Sequence, residues 1–146
     1  MDDRKGNSRI SLQRSITITK SQRQLLIEHA KKHAPNESCA LLFGKVSQED
    51  YTVQEVFLTK NIDGSPINFT ISNEELLRGY TLAEQKGLEV IGIFHSHPHS
   101  EAVPSATDKK FMEINPVVWI IFSNSTDRLA AYILESNIEP VAIRIV

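Results

Sequence analysis

Short apolar runs, some alternating and some continuous, make up most of this chain, and stretches with helical spacing interrupt them. Ile16-Thr17-Ile18 alternates as a strand does. Leu25, Leu26, His29 and Ala30 recur along one helix face, so Ser21 to Ala34 is predicted helical, and Pro35 ends it. Cys39 to Val46 and Tyr51 to Leu58 are rich in apolar and β-branched residues on either side of the polar turn Ser47 to Asp50, the pattern of a hairpin. Asn61 to Pro66, with Asp63-Gly64, reads as a loop and is followed by a short β segment, Asn68 to Ile71. Ser72 is an N-cap with Glu75 at the capping-box position, opening an amphipathic helix through Leu76, Leu77, Tyr80, Leu82 and Ala83 to the stop at Gly87.

Glu89 to Phe94 is a continuous apolar strand ending at His95, and Ser105 starts a short helix that finishes before Pro116. Val117 to Phe122, Leu129 to Leu134 and Val141 to Val146 complete the chain as strands. The order βαβββαβαβββ predicts an α/β fold: a single-domain mixed β-sheet flanked by helices, with no repeats and no second domain. The polar start of the chain leads us to expect a flexible leader over residues 1–14 and one folded domain over 15–146.

Composition narrows the function classes. Of 146 residues 40% are apolar and 23% charged, enough for one ordinary core. Sixteen Lys and Arg against eighteen Asp and Glu leave a formal charge of -2, so no overall field draws the chain to nucleic acid or anionic lipid. The longest apolar run, Val117 to Phe122, is too short to span a bilayer, and Met1 to Arg9 holds no apolar signal region, which together predict a cytoplasmic protein without a membrane partner. Cys39 is the only cysteine, so any zinc must be held by His and carboxylate.

The candidate chemistry lies between His95 and Asp108, in the skeleton H-x-H, seven residues, S-x-x-D. Side chains two apart on an extended segment share a face, so His95 and His97 can present nitrogens to one ion. Asp108, in the first turn of the next helix, can return an oxygen. Three N/O ligands with one position left for water is the donor set of a catalytic zinc. The plainer reading is polar loop histidines and a helix cap, yet all four positions together match by chance in roughly one chain of this length in several thousand. His99 offers a rival ligand, but Pro98 interrupts the strand before it, which predicts a rim or solvent position. Zinc chemistry also needs a carboxylate base, and spacing leaves Glu28, Glu37, Glu74, Glu75 and Glu101 all open. Cys39 is expected to be a small buried thiol and Trp119 a core residue. H-E-x-x-H and P-C-x-x-C are both missing.

Pro35-Asn36-Glu37-Ser38-Cys39-Ala40-Leu41-Leu42-Phe43-Gly44, followed by the H-x-H-x7-S-x2-D passage, resembles the JAMM (MPN-plus) metalloproteases, which include the proteasome-lid deubiquitinase. The resemblance runs from about Ile16 to Leu134 and implies the MPN, cytidine deaminase-like, fold. It implies that His95, His97 and Asp108 hold one Zn2+ per chain, that Glu37 is the general acid/base and that Ser105 hydrogen-bonds the developing oxyanion. The implied reaction is hydrolysis of the bond between the Gly-Gly tail of a ubiquitin-like protein and a lysine amine, with the conjugate as partner and the proteasome as an associated one. The tail is expected to lie as an added strand beside Pro66 to Ile71. Compact relatives also suggest removal of a small sulfur-carrier protein. Relatives without the ligands suggest a binding scaffold, and a bacterial family sharing the H-x-H-P passage suggests a DNA-repair role. Ala40 stands where many relatives have glycine, and the chain lacks the second insertion and extra cysteines of some eukaryotic members.

Overall fold

The computed structural model describes residues 13–146. The leader expected over 1–14 lies, up to residue 12, outside the described residues. At its end the Arg14 carbonyl accepts from Ala142 N–H and its guanidinium pairs with Glu49 and Glu135.

Strand β1 (Ser15–Ile18) leads into helix α1 (Lys20–His33). The helix starts one residue earlier than its periodicity predicts because Thr19 caps it: Thr19 Oγ1 accepts from Gln22 N–H while the Gln22 side chain accepts from Thr19 N–H. The hairpin β2 (Cys39–Ser47) and β3 (Asp50–Thr59) forms as predicted. Helix α2 (Asn73–Gln85) is capped by Ser72, but Glu75 does not complete the box. Its carboxylate accepts from Lys60 N–H instead, tying the helix to the end of β3. Strand β4 (Glu89–His97) continues through both histidines, two residues beyond its predicted end. Helix α3 (Ala106–Ile114), β5 (Val118–Ser123), β6 (Arg128–Leu134) and β7 (Ile138–Ile145) follow. Strand β7 begins earlier than expected and carries Pro140, which pairs with Tyr132 of β6 but lies before the stretch Ala142 to Ile145 that pairs with β1.

The strands close into a barrel, β1-β3-β2-β4-β5-β6-β7, with β7 returning to β1. The pairing is mixed, parallel at β1–β3, β1–β7 and β4–β5 and antiparallel elsewhere. The expected mixed sheet is therefore present but closed, because the short first strand fills the gap between β3 and β7. Periodicity reports which face a residue occupies, not which edges meet.

The segment Asn68 to Ile71 alternates more exposed and buried residues as a strand does, but it is not a strand. The Asn61 amide takes the place of a neighbouring strand: its Nδ2 donates to Asn68 O, its Oδ1 accepts from Thr70 N–H, and Ile62 N–H bonds Thr70 O.

Alternation along the strands feeds two cores. Ala40, Leu42, Phe94, Ile120 and Phe122 pack with Ile16, Ile18 and the α1 residues Leu26, Ile27 and Ala30. Cys39, Leu41, Phe43, Ile93 and Trp119 pack on the other face with Phe69, Ile71, Ala83 and Met112. A bulge at Ile91, which has no partner between the pairs Leu42–Gly92 and Phe43–Val90, reverses the alternation of β4 so that Val90 and Ile93 share one face and Ile91 and Phe94 the other. Gly79 lets α2 approach the second face: a Cβ there would meet Leu41 Cδ1 at 2.6 Å. The metal-ligand candidates lie on this second face, at the end of β4.

Candidate metal centre

His95 and His97 occupy the last turn of the β4 alternation, and both are buried. Their Nε2 atoms are 3.0 Å apart, and Asp108 Oδ2 lies 3.1 Å from the first and 3.0 Å from the second. Three atoms of the right kind thus converge on one point. The S-x-x-D motif is at the same time a helix cap and part of the cluster. Ser105 Oγ accepts from Asp108 N–H at 3.0 Å, and Ser105 N–H donates to Asp108 Oδ2 at 2.9 Å. The capping box aims the carboxylate oxygen that faces the imidazoles.

The donor set fits zinc. Two imidazole nitrogens and one carboxylate oxygen are zinc ligands, and at bond lengths of about 2.0–2.1 Å the ligands of a tetrahedral ion lie about 3.3 Å apart. The observed separations need to open by only a few tenths of an ångström. Three lone-pair atoms this close require a positive charge between them, whether protons or a cation. Burial alone would raise the Asp108 pKa, but hydrogen bonds from both imidazoles and from Ser105 N–H outweigh it and hold the carboxyl well below the usual range. Burial pushes the His95 pKa down. Burial acts the same way on His97, but its bonds to Asp108 and the Glu101 carbonyl prevail and the pKa rises.

Glu37 precedes β2, where Cys39 pairs with His95. Continuing that antiparallel register by two residues brings Glu37 opposite His97. The connection is held by Ser38 and Ser96: Ser96 N–H donates to Ser38 O, Ser38 N–H donates to Ser96 Oγ at 2.8 Å, and the two hydroxyls bond at 2.9 Å. Glu37 N–H donates to Ser65 O and Asn61 Nδ2 to Glu37 O, so the loop fixes its backbone as well. The Glu37 side chain is buried, and its Oε1 has no partner among the described residues. Burial raises its pKa to about 8, with Asp108 acting in the same direction and His97 against it. A buried, unpaired carboxyl beside a cation site is suited to exchange a proton near neutral pH.

His99 is exposed and outside the cluster, as its position after Pro98 predicts. Cys39 is buried, its Sγ accepting from Thr59 Oγ1, and its thiol is pushed up to about 12, chiefly by burial. Trp119 is in the core as expected, but it also stands edge-on to His95 at 5.7 Å, while Phe69 stacks on the imidazole at 4.8 Å and meets Trp119 at 6.0 Å. Sequence reasoning did not find Phe69, Ser38, Ser96 or the Glu101 carbonyl, which lies 2.7 Å from His97 Nδ1. Ser96 carried a signal, since a serine between two histidines of a buried strand faces the other way and must find a partner inside. The Glu101 contact carried none, because any residue supplies a carbonyl.

Comparison with known proteins finds a family and several relatives for the chain. A family model described as prokaryotic homologs of the JAB domain matches residues 19–134. The chain is 38% identical over 101 residues to the desampylase of Pyrococcus furiosus, covering 69% of each chain. It is 30% identical over 112 residues to a probable TtuB-protein conjugate cleaving protease of Thermus thermophilus, covering 76% of this chain and 70% of that one. A protein from Desulfitobacterium hafniense with a solution structure superimposes with a TM-score of 0.82 at 30% identity, covering 90% of this chain and 92% of the other.

Proposed function

The chain belongs to the prokaryotic JAB-domain, or compact JAMM/MPN, family, and from that premise we propose that it is a zinc-dependent isopeptidase that releases a small ubiquitin-like protein from the lysine to which its C-terminal tail is joined. The observation that carries the reading is the unpaired, buried Glu37 carboxyl opposite the convergent His95, His97 and Asp108. The names of the relatives, a desampylase and a conjugate-cleaving protease, support the same class of reaction.

In this reading His95 Nε2, His97 Nε2 and Asp108 Oδ2 hold the ion. When bound, zinc supplies Lewis acidity, polarising the scissile carbonyl and making a water acidic near neutral pH. Glu37 takes the proton of the attacking water and passes it to the leaving lysine nitrogen, a transfer favoured by a pKa near the working pH. The Ser105 hydroxyl accepts from Asp108 N–H through its oxygen, which leaves its own hydrogen to donate to the developing oxyanion.

The substrate tail lies along the segment after Pro66. Asn68 and Thr70 turn their backbone groups into the loop, towards Asn61, Ile62 and Ser65. The segment alternates, so Phe69 and Ile71 turn theirs the other way, and these have no hydrogen-bond partner among the described residues. A peptide adding there would slow hydrogen exchange at the Phe69 and Ile71 amides and not at Thr70.

The test is to load the chain with zinc and assay cleavage of a ubiquitin-like protein joined to lysine, beside Glu37→Gln and chelated protein. One zinc per chain, with cleavage lost in both controls, is the expected result. Cleavage that survives chelation would rule the mechanism out.

A further inference from the structure

His97 is held in place by a loop that has no regular structure, and something must hold the loop. Residues 98–105 connect β4 to α3. Three successive carbonyls of this loop are each engaged. Ser100 O accepts from Ser123 Oγ at 2.7 Å. Glu101 O accepts from His97 Nδ1–H at 2.7 Å and from Val103 N–H at 2.8 Å. Ala102 O accepts from the Tyr132 hydroxyl at 2.7 Å. The two outer carbonyls bracket the one that holds the imidazole, so the peptide planes on both sides of Glu101 O are set by hydroxyls from the barrel wall.

We propose that Ser123 and Tyr132 are positioning residues for His97: by gripping the Ser100 and Ala102 carbonyls, they point the Glu101 carbonyl at His97 Nδ1 and so keep the Nε2 lone pair facing the cation site.

The two hydroxyls are built for this. Ser123 is fully buried, ends β5 and is the register partner of His97 itself. The next residue, Asn124, donates its N–H to His97 O. One strand end therefore holds the His97 backbone directly and its ring through the loop. Tyr132 is the register partner of Trp119, the residue that stands against His95, so adjacent strands brace both histidines. Burial raises the Tyr132 pKa, which keeps its hydroxyl protonated and able to donate. Ser123 Oγ also accepts from Thr126 N–H at 3.1 Å, so its own position is set by the turn that follows β5 and the loop carbonyl comes to it. What the hydroxyl adds is direction. Groups that orient a metal-binding histidine from outside the ligand shell typically account for about 10- to 100-fold in metal affinity.

The inference rests on His97 being a zinc ligand, and the experiment separates the two. Tyr132→Phe, Ser123→Ala and the double variant are compared with wild type by two readouts. The first is the His97 tautomer in the metal-free chain at alkaline pH, from side-chain nitrogen NMR. The second is zinc affinity, from competition with a chromophoric chelator. Wild type is expected to carry its proton on Nδ1, and each variant to shift towards the Nε2–H form and bind zinc about tenfold more weakly, with a larger loss in the double variant. Variants that keep the wild-type tautomer overturn the inference, even if they melt at a lower temperature, since a merely structural hydroxyl would do that. Tyr132→Phe removes a single oxygen, so it decides the question alone if Ser123→Ala does not fold. A wild-type chain that takes up no zinc would defeat the proposed function, while the tautomer would still decide this inference.

Discussion

The two histidines of the cluster are two residues apart on one strand and are held by opposite means. His95 is fully buried, walled by Phe69 and Trp119, and its Nδ1 has no partner among the described residues. His97 has a hydrogen bond to a carbonyl, and that carbonyl belongs to a loop anchored by hydroxyls. Rings restrict where an imidazole can lie but do not distinguish its two nitrogens. A carbonyl does distinguish them. One side of the site therefore works by shape and the other by direction, and their pKa values part accordingly, downward for His95 and upward for His97.

The largest effects should come from the residues that both sides serve. His97→Ala is expected to abolish zinc uptake, whereas Glu37→Gln keeps zinc and loses about 10²- to 10⁴-fold in turnover. Metal content and single-turnover rates measured on both variants check this, and equal zinc loss in the two would undo the assigned division of roles.

Next in size is the aromatic wall. Phe69→Ala should cost about 3–5 kcal/mol of stability in urea unfolding of the metal-free chain. Phe69 is buried against His95 and Trp119 and walls a pocket of about 160 Å³ that opens to solvent, with Ile71 and Leu76, so the space vacated widens that pocket and strips the rings of their packing. A loss under about 1 kcal/mol would mean that shape does not hold His95.

Smaller again is an effect of pH. In the metal-free fold the Glu37 pKa is raised to about 8 from an ordinary 4.5, so between those values the native state holds a proton that the unfolded state has released. Stability from this group is therefore present below about pH 4.5 and lost as pH rises towards about 8. Glu37→Gln removes the slope. Thermal scans should find the variant more stable than wild type at pH 8, by up to about 4 kcal/mol, and little different at pH 4.5. A variant less stable than wild type at pH 8 would show that the carboxylate is satisfied in the fold.

The smallest expected effect is none. Glu101→Ala should leave zinc affinity within about twofold, because His97 uses the Glu101 carbonyl and the side chain is exposed. A tenfold loss by the same chelator competition would move the orienting role from the backbone to the carboxylate.

How far the site was legible in the sequence follows from the same contrast. His95 and His97 could be read because strand alternation places i and i+2 together, and Asp108 because a capping box has a fixed spacing. Glu37 could be read only through resemblance to a family, since its approach to His97 depends on the pairing of β2 with β4, which no local pattern encodes. Asn68 to Ile71 looked like a strand because it is apolar on alternate residues. The partner that makes it something else is the side chain of Asn61, which mimics a neighbouring backbone. Barrel closure was hidden because β1 is four residues long and its two neighbours, β3 and β7, lie far from it and from each other in the sequence. Ser123 and Tyr132 act through carbonyls, the one group that carries no residue identity.

The capping box at Ser105 has a kinetic consequence. Asp108 Oδ2 is simultaneously the acceptor that starts α3 and an arm of the cation cluster. Unwinding of the first turn of that helix would also withdraw one of the three arms, so the lifetime of an ion bound there would depend on how often a nine-residue helix frays at its beginning.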